Sequence, residues 1–151
     1  MLVTKEFSFA MGHRLPNYDG LCRRNHGHEY LLHVTVKGEV STSVGDPKEG
    51  MVVDFADLKT LVKDFIDKKL DHCSMIYEED TILKNALLEV QEGKGVTVVP
   101  FIPTAENMAE WVFNNLSDLI SDNLGVELYS VKLWETPTSY VEFKASEYKN
   151  N

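Results

Sequence analysis

Alternating hydrophobic and polar positions near both ends of the chain predict β-strands. Phe7 and Phe9 alternate with polar neighbours, and Tyr30, Leu32 and Val34 lie on one face of a longer alternating run. A side-chain period of two is typical of a strand that is buried on one face. The predicted strands cover residues 2–11, 28–40, 51–53, 127–135 and 138–146, and a turn over 41–50 makes the second and third a hairpin with a long connection.

Two other segments have apolar residues at helical spacing. Asp54 is a good N-cap for a helix that runs to about residue 70, and Thr104 opens a second helix that Gly125 ends. The segment 76–102 holds a short possible helix over 81–91 and an apolar run from Val96 to Ile102. This order of strands and helices favours an α+β fold with an antiparallel sheet covered by helices on one face.

Composition narrows the class of protein. The 151 residues predict one domain, 1–151, and 43% apolar residues suit a globular protein. A net charge of −9 disfavours a nucleic-acid partner, because such a surface repels phosphate. We see neither a signal peptide nor an apolar run that approaches 18 residues, so no membrane partner is expected. Two cysteines make no disulfide framework and favour a cytoplasmic location.

The strongest chemical signal is the tripeptide His26-Gly27-His28. Histidines at i and i+2 of an extended segment point to the same side, so two imidazoles can approach one ion. His13, at the end of the first strand, completes a set of three if the two strands are neighbours. Three protein ligands leave one position of a zinc ion open, as catalytic zinc sites require. The alternative is a chance pair on the surface, and His33, of opposite parity, is interpreted as an ordinary sheet residue.

Cys22, four residues before His26, is a second candidate for chemistry. Its thiolate could be a ligand, a base or a nucleophile, and the alternative is a small buried hydrophobe. Asp71 and His72 follow the first helix; a carboxylate that contacts an imidazole sets its tautomer. Adjacent side chains pair poorly, so Asp71 and His72 could act together on a third group such as Cys22. The alternative is that His72 interacts favourably with the negative end of the helix dipole.

Other candidates have simple structural alternatives. Glu135, at a strand end, could accept two parallel hydrogen bonds from an amidine-like ring edge, or be a solvated acid. Thr104 and Glu106 open the second helix, where capping alone would explain them. In an acidic protein, three arginines near the histidines suggest an anion site or solvated charge: Arg14, Arg23 and Arg24.

Together these motifs resemble the 6-pyruvoyltetrahydropterin synthase and 6-carboxytetrahydropterin synthase family of the tunnelling fold. They occur in the family's order over nearly the whole chain. The matching segments are Phe9-Ala10-Met11-Gly12-His13-Arg14-Leu15, Cys22-Arg23-Arg24-Asn25-His26-Gly27-His28, Val53-Asp54-Phe55, Leu70-Asp71-His72, Pro103-Thr104-Ala105-Glu106-Asn107 and Trp134-Glu135-Thr136.

The resemblance implies a role for each candidate. His13, His26 and His28 would hold Zn²⁺, and Cys22 would abstract a proton with Asp71 and His72 as partners. Glu135, Thr104 and Glu106 would bind the pterin of 7,8-dihydroneopterin triphosphate. It also implies a four-stranded antiparallel sheet with two helices on one face. Family members are homo-oligomers, built from trimers that close a barrel and often pair into hexamers, with active sites between subunits.

Branches of the family differ in product. The spacing of Cys22 from His26 resembles the bacterial branch, which makes 6-carboxy-5,6,7,8-tetrahydropterin and acetaldehyde on the route to queuosine. The animal-type branch makes the pyruvoyl product and usually has a longer gap, and a third branch replaces the cysteine by glutamate. One alternative to a zinc lyase is a non-catalytic relative that binds a pterin or a purine. A weaker alternative is a zinc hydrolase, which explains the three histidines and gives no role to Cys22 or Glu135.

Overall fold

The computed structural model describes residues 1–148 and contains six strands, four helices and a 3₁₀ turn at Leu21–Arg23. The strands are β1 (Leu2–His13), β2 (His26–Lys37), β3 (Cys73–Tyr77), β4 (Val96–Val99), β5 (Glu127–Thr136) and β6 (Ser139–Lys144). The helices are α1 (Phe55–Lys69), α2 (Thr81–Val90), α3 (Ala105–Leu124) and α4 (Ala145–Tyr148).

The strands form a single mixed sheet in the order β4-β3-β1-β2-β5-β6. The four strands β1, β2, β5 and β6 pair antiparallel, whereas β3 is parallel to both β1 and β4. The α+β class is confirmed. The prediction of four antiparallel strands is wrong, because β3 and β4 add a parallel extension beyond β1.

The strand β3 escaped prediction because it has no alternating pattern. Residues 73–76 are all buried, so both faces of the strand are covered and its side chains carry no period of two. The helix α2 follows within the expected 81–91 segment and packs against β3 and β4. We name residues 73–103 the β3–α2–β4 unit; it contains the whole of the 76–102 segment that the pattern left uncertain.

The prediction of a strand at residues 51–53 is wrong. The sheet places β1 on one side of β2 and β5 on the other, so no edge of β2 is free to pair with a returning hairpin strand. The loop closes instead through two backbone hydrogen bonds, from Ser41 N–H to Met51 O (2.8 Å) and from Gly50 N–H to Ser41 O (2.9 Å).

The core lies between one face of the sheet and the helices α1 and α3. The side chains of Leu32, Val34 and Leu116 are fully buried there. Both helix starts are capped as expected: Asp54 accepts a hydrogen bond from Ala56 N–H (2.7 Å), and Thr104 accepts one from Asn107 N–H (3.3 Å). Gly125 ends α3 in the left-handed conformation (φ 66°). Within residues 1–148, no helix has the length and apolar character needed to span a bilayer.

Candidate functional site

The pairing of β1 with β2 brings three histidines together at one end of the sheet. His13 lies opposite His26, and Met11 lies opposite His28. β1 ends two residues later, and β2 begins two residues earlier, than the pattern predicts. All three histidines therefore belong to paired strands, and the loop between them shortens to residues 14–25. The ligand positions therefore rest on a hydrogen-bonded ladder, which holds side chains more rigidly than a loop does.

The three imidazoles converge on a common point. Their ligand atoms all lie within 4.8 Å of one another, and the ring centroids of His13 lie 4.6 Å from His26 and 5.2 Å from His28. The Nε2 atoms of all three rings are buried and have no hydrogen-bond partner in the structure. Three nitrogens buried without partners cost free energy unless something binds them. This arrangement suits a metal ion.

Backbone carbonyls orient two of the rings. His13 Nδ1 lies 2.8 Å from Pro103 O, and His26 Nδ1 lies 2.7 Å from Arg24 O. A proton on Nδ1 that is donated to a carbonyl leaves the lone pair on Nε2, as a metal ligand requires. Burial lowers the pKa of His13 below its ordinary value, opposed by the Pro103 carbonyl and Glu135 and reinforced by the charges of the neighbouring histidines, so the neutral form is favoured. The donor set fits zinc.

The glycine between the histidines packs closely against the neighbouring strand. A Cβ on Gly27 would lie 2.9 Å from the carbonyl oxygen of Met11 on the neighbouring strand. The missing side chain therefore allows the close approach of β1 to β2, rather than leaving space around an ion.

A cavity of about 330 Å³ is lined in part by His13, one of the three histidines. It brings together His13, Cys22 and the three residues that the resemblance implies for pterin binding. Its lining residues are His13, Leu15, Cys22, Thr104, Ala105, Glu106, Glu135, Ser139, Tyr140 and Val141. The volume is within the range of small-molecule sites.

Glu135 stands between the cavity and the histidines. Its carboxylate oxygens lie 4.0 Å from His13 Nε2 and 3.8 Å from His28 Nε2. Tyr30 continues the row of His26 and His28 on β2, and its buried hydroxyl has no hydrogen-bond partner in the structure. Burial, together with the negative charges of Glu135 and Cys22, raises the pKa of Tyr30, so the phenol stays neutral.

Asp71 and His72 are not among the residues that line this cavity. His72 is 85% exposed, and its Nδ1 lies 3.1 Å from Asp71 Oδ1, so the expectation that the two adjacent side chains pair poorly is wrong. Both residues bind the edge of β1: His72 N–H donates to Ala10 O (2.8 Å), and Asp71 Oδ1 accepts from Ala10 N–H (3.1 Å). Burial alone would raise the pKa of Asp71, but the Ala10 amide and His72 outweigh it and lower the pKa. His72 has φ of 56°, so it is held in a strained conformation.

One of the three candidate arginines is already paired. Arg14 donates two hydrogen bonds to the carboxylate of Asp80, which is buried. The guanidinium lowers the pKa of Asp80, and the carboxylate raises the pKa of Arg14. Arg23 and Arg24 are exposed and follow Cys22. The sequence pattern did not indicate the Asp80 partner, the Pro103 carbonyl or the cavity wall from Ser139 to Val141, because these contacts join distant parts of the chain.

Known proteins are similar to this chain in sequence. The family model described as 6-pyruvoyl tetrahydropterin synthase matches residues 2–146. A Haemophilus influenzae protein named 6-carboxy-5,6,7,8-tetrahydropterin synthase is 39% identical over 94% of this chain and 97% of its own length. A protein of the same name from Rickettsia bellii is 30% identical over 92% and 96%.

Two solved structures have the same fold. The crystal structure of an uncharacterized protein from Wolinella succinogenes superposes with a TM-score of 0.79 at 27% identity and covers 96% of this chain and 98% of that one. The 6-pyruvoyl tetrahydropterin synthase of Caenorhabditis elegans superposes with a TM-score of 0.66 at 28% identity and covers 96% and 95%. With the ordered motifs and the histidine site, these matches show that the chain belongs to the 6-pyruvoyl tetrahydropterin synthase family.

Proposed function

We propose that this protein is a zinc-dependent 6-carboxy-5,6,7,8-tetrahydropterin synthase. It would convert 7,8-dihydroneopterin triphosphate and one water molecule to 6-carboxytetrahydropterin, acetaldehyde and triphosphate. The observation that carries the proposal is the convergence of three unpartnered Nε2 atoms beside a cavity lined by Cys22 and Glu135. The name of the 39% identical Haemophilus influenzae relative supports this product over the pyruvoyl product.

His13, His26 and His28 would hold the zinc through Nε2. When bound, zinc supplies Lewis acidity to substrate oxygens and so makes a neighbouring C–H easier to deprotonate. Cys22 lies on the wall of the same cavity, where its thiolate can accept that proton. A weak base suffices once the C–H is acidified. Cys22 can act as this base only as a reduced thiol, and the need for a reduced thiol fits a cytoplasmic location.

Glu135 orients the substrate. Its carboxylate faces the cavity beside Thr104 and Glu106, where two parallel hydrogen bonds can hold the N–H groups of a pterin edge. This contact fixes the distance from the ring to the side chain that reacts near the histidines. Of the three arginines, Arg23 and Arg24 are the better candidates for the triphosphate, because Arg14 already pairs with Asp80.

The edges of the sheet support an oligomer. β3 pairs with β1 only at Met11 and Gly12, so within the described residues the outer edge of β1 from residue 2 to residue 9 has no strand beside it. β6 is likewise paired on one side only. Such edges invite pairing with another chain, and a closed barrel removes them. Copies of this chain that join β6 to β1 would close a barrel, in line with the proposed trimer.

In such a barrel, the directions of the strands would bring each site to the boundary between two subunits. The β1, β2, β5 and β6 strands alternate in direction, so β6 of one subunit would lie antiparallel to β1 of the next. The start of β6, at Ser139, then lies near the end of β1, where His72 is bound to Ala10. Ser139 also lines the substrate cavity. Each cavity would therefore receive Asp71 and His72 from the neighbouring subunit as proton carriers for Cys22.

Product identification tests the proposal. Zinc-loaded protein is incubated with 7,8-dihydroneopterin triphosphate, and the products are identified by mass spectrometry. We expect 6-carboxytetrahydropterin and acetaldehyde, and we expect Cys22→Ala to bind zinc normally without turnover. A pyruvoyl product would replace the proposed reaction by the 6-pyruvoyltetrahydropterin synthase reaction. Unchanged substrate on zinc-loaded protein would contradict both reactions and favour a binding protein.

A further inference from the structure

Three consecutive residues at the end of β1 are held by one part of the fold. The backbone of Gly12 pairs with Ser74 of β3, and the ring of His13 binds Pro103 O at 2.8 Å. The side chain of Arg14 binds Asp80 at the start of α2. The residues Ser74, Asp80 and Pro103 all belong to the β3–α2–β4 unit.

The Arg14–Asp80 pair is less exposed than the lysine–carboxylate pairs within the described residues. The carboxylate side chain of Asp80 is 5% exposed and that of Arg14 is 27% exposed, and the pair is bidentate. The Lys68–Asp64 pair on α1, by contrast, is 67% and 62% exposed. Exposed ion pairs contribute little to folding stability. A bidentate arginine–carboxylate pair that is largely shielded from water fixes the relative position of the two segments that it joins.

The Arg14–Asp80 pair holds the residue that directly follows the candidate metal ligand His13. His13 is the most buried of the three histidines, and its Nδ1 partner, Pro103 O, comes from the far end of the unit that also contains Asp80. A shift of the unit relative to β1 would therefore move both the backbone beside His13 and the carbonyl that orients its ring. Partners that orient a ligand are worth about 10- to 100-fold in metal affinity.

We propose that Asp80, through Arg14, is a positioning residue for the metal site, and that the β3–α2–β4 unit is the scaffold that aims His13 at the ion. This inference rests on the proposed function to the extent that the three histidines bind zinc. It also means that Arg14 serves the metal site indirectly and does not bind the triphosphate.

The test measures metal binding without substrate. Zinc affinity is measured by competition with a chromogenic chelator, and ligand geometry by the visible absorption of the cobalt(II) form. We expect Asp80→Asn to weaken zinc binding about tenfold and to change the cobalt spectrum, because the neutral amide holds Arg14 less firmly. Asp80→Glu, which keeps the charge, should recover part of the affinity. The matched control is Asp64→Asn, which breaks an exposed pair on α1 and should leave both measurements unchanged.

A double variant covers the case in which a lone unpaired arginine prevents folding. Arg14→Met with Asp80→Asn leaves no buried charge without a partner, and asparagine is also a good N-cap for α2. It should fold, as judged by circular dichroism, and still bind zinc more weakly than the wild type. If this folded variant has the zinc affinity and the cobalt spectrum of the wild type, the positioning role of Asp80 is wrong, and the proposed function is unaffected. Failure of the wild-type protein to bind zinc would instead contradict the metal site of the proposed function, and the inference with it.

Discussion

Two inactive variants should restore activity when they assemble together, if each active site draws residues from two subunits. Cys22 lines the cavity of its own chain, whereas His72 lies on the outer edge of β1, away from the cavity lining. We therefore expect Cys22→Ala and His72→Ala to be inactive alone. In a mixed assembly, some cavities would combine an intact Cys22 from one chain with an intact His72 from the next.

The arrangement of the interface sets the size of the effect. When β6 of one subunit meets β1 of the next, each site takes one Cys22 and one His72 from different chains, in a ring of any size. When equal amounts of the two variants assemble at random, the chain that contributes Cys22 has an intact Cys22 in half of the sites. The chain that contributes His72 has an intact His72 in half of the sites. About one quarter of all sites should then be intact. Doubly tagged trimers exclude the unmixed rings and each have one intact site in three, so their activity should recover to about one third of the wild-type value.

The assay requires mixed oligomers. The two variants carry different affinity tags, are unfolded and refolded together at equal concentrations, and are purified through both tags. Turnover of 7,8-dihydroneopterin triphosphate is compared with each variant refolded alone. A mixture of Cys22→Ala with His28→Ala is the matched control, because both changes affect the same chain's site and no mixed site can be intact.

The outcomes separate the two geometries. Recovery in the first mixture, with none in the control, supports a site shared between neighbours. If doubly tagged oligomers form and the first mixture stays inactive, the placement of His72 beside the neighbour's cavity is wrong. Equal recovery in both mixtures would mean that the changes do not act within one site at all.

Three further predictions concern the site and the core. His28→Ala should abolish stoichiometric zinc binding, measured by atomic absorption, because two ligands remain; full occupancy would refute the ligand set. The pKa of His13 is lowered in the folded protein, so the metal-free protein should keep its full stability above the ordinary pKa of 6.5 and lose stability as the pH falls below it. Urea unfolding at pH 7.5 and 5.5 checks this, and His13→Gln should remove that part of the pH dependence. Leu32→Ala should cost about 2–5 kcal/mol of unfolding free energy by urea denaturation, because this fully buried side chain leaves a cavity; a loss below about 1 kcal/mol would contradict its place in the core.

Local patterns predicted the elements that have one buried and one exposed face. The alternation around Phe7 and Tyr30 gave β1 and β2, and the caps Asp54 and Thr104 gave the starts of the two long helices. The same logic failed for β3, which is buried on both faces, and at residues 51–53, because both edges of β2 are already paired with β1 and β5. The hydrophobic pattern of a segment indicates which of its faces is buried. It does not indicate whether a neighbouring strand has an unpaired edge with which the segment can form hydrogen bonds.

The sequence alone determined the chemical content of the site. His26 and His28 share one face of a strand by parity, and the ordered motifs supplied Cys22 and Glu135 as their companions. These features depend on residue type and on spacing along the chain, which the sequence contains directly.

Only the tertiary structure decided how the site is built. The register of β1 with β2 placed His13 opposite His26, and Pro103 O was brought to His13 from 90 residues away. The pairing of Arg14 with Asp80 joins residues 66 apart in the same way. The physical reason is that ring orientation, burial and ion pairing depend on distances through space. Chain closure over such separations is selected by packing of the whole core, and no local pattern records it.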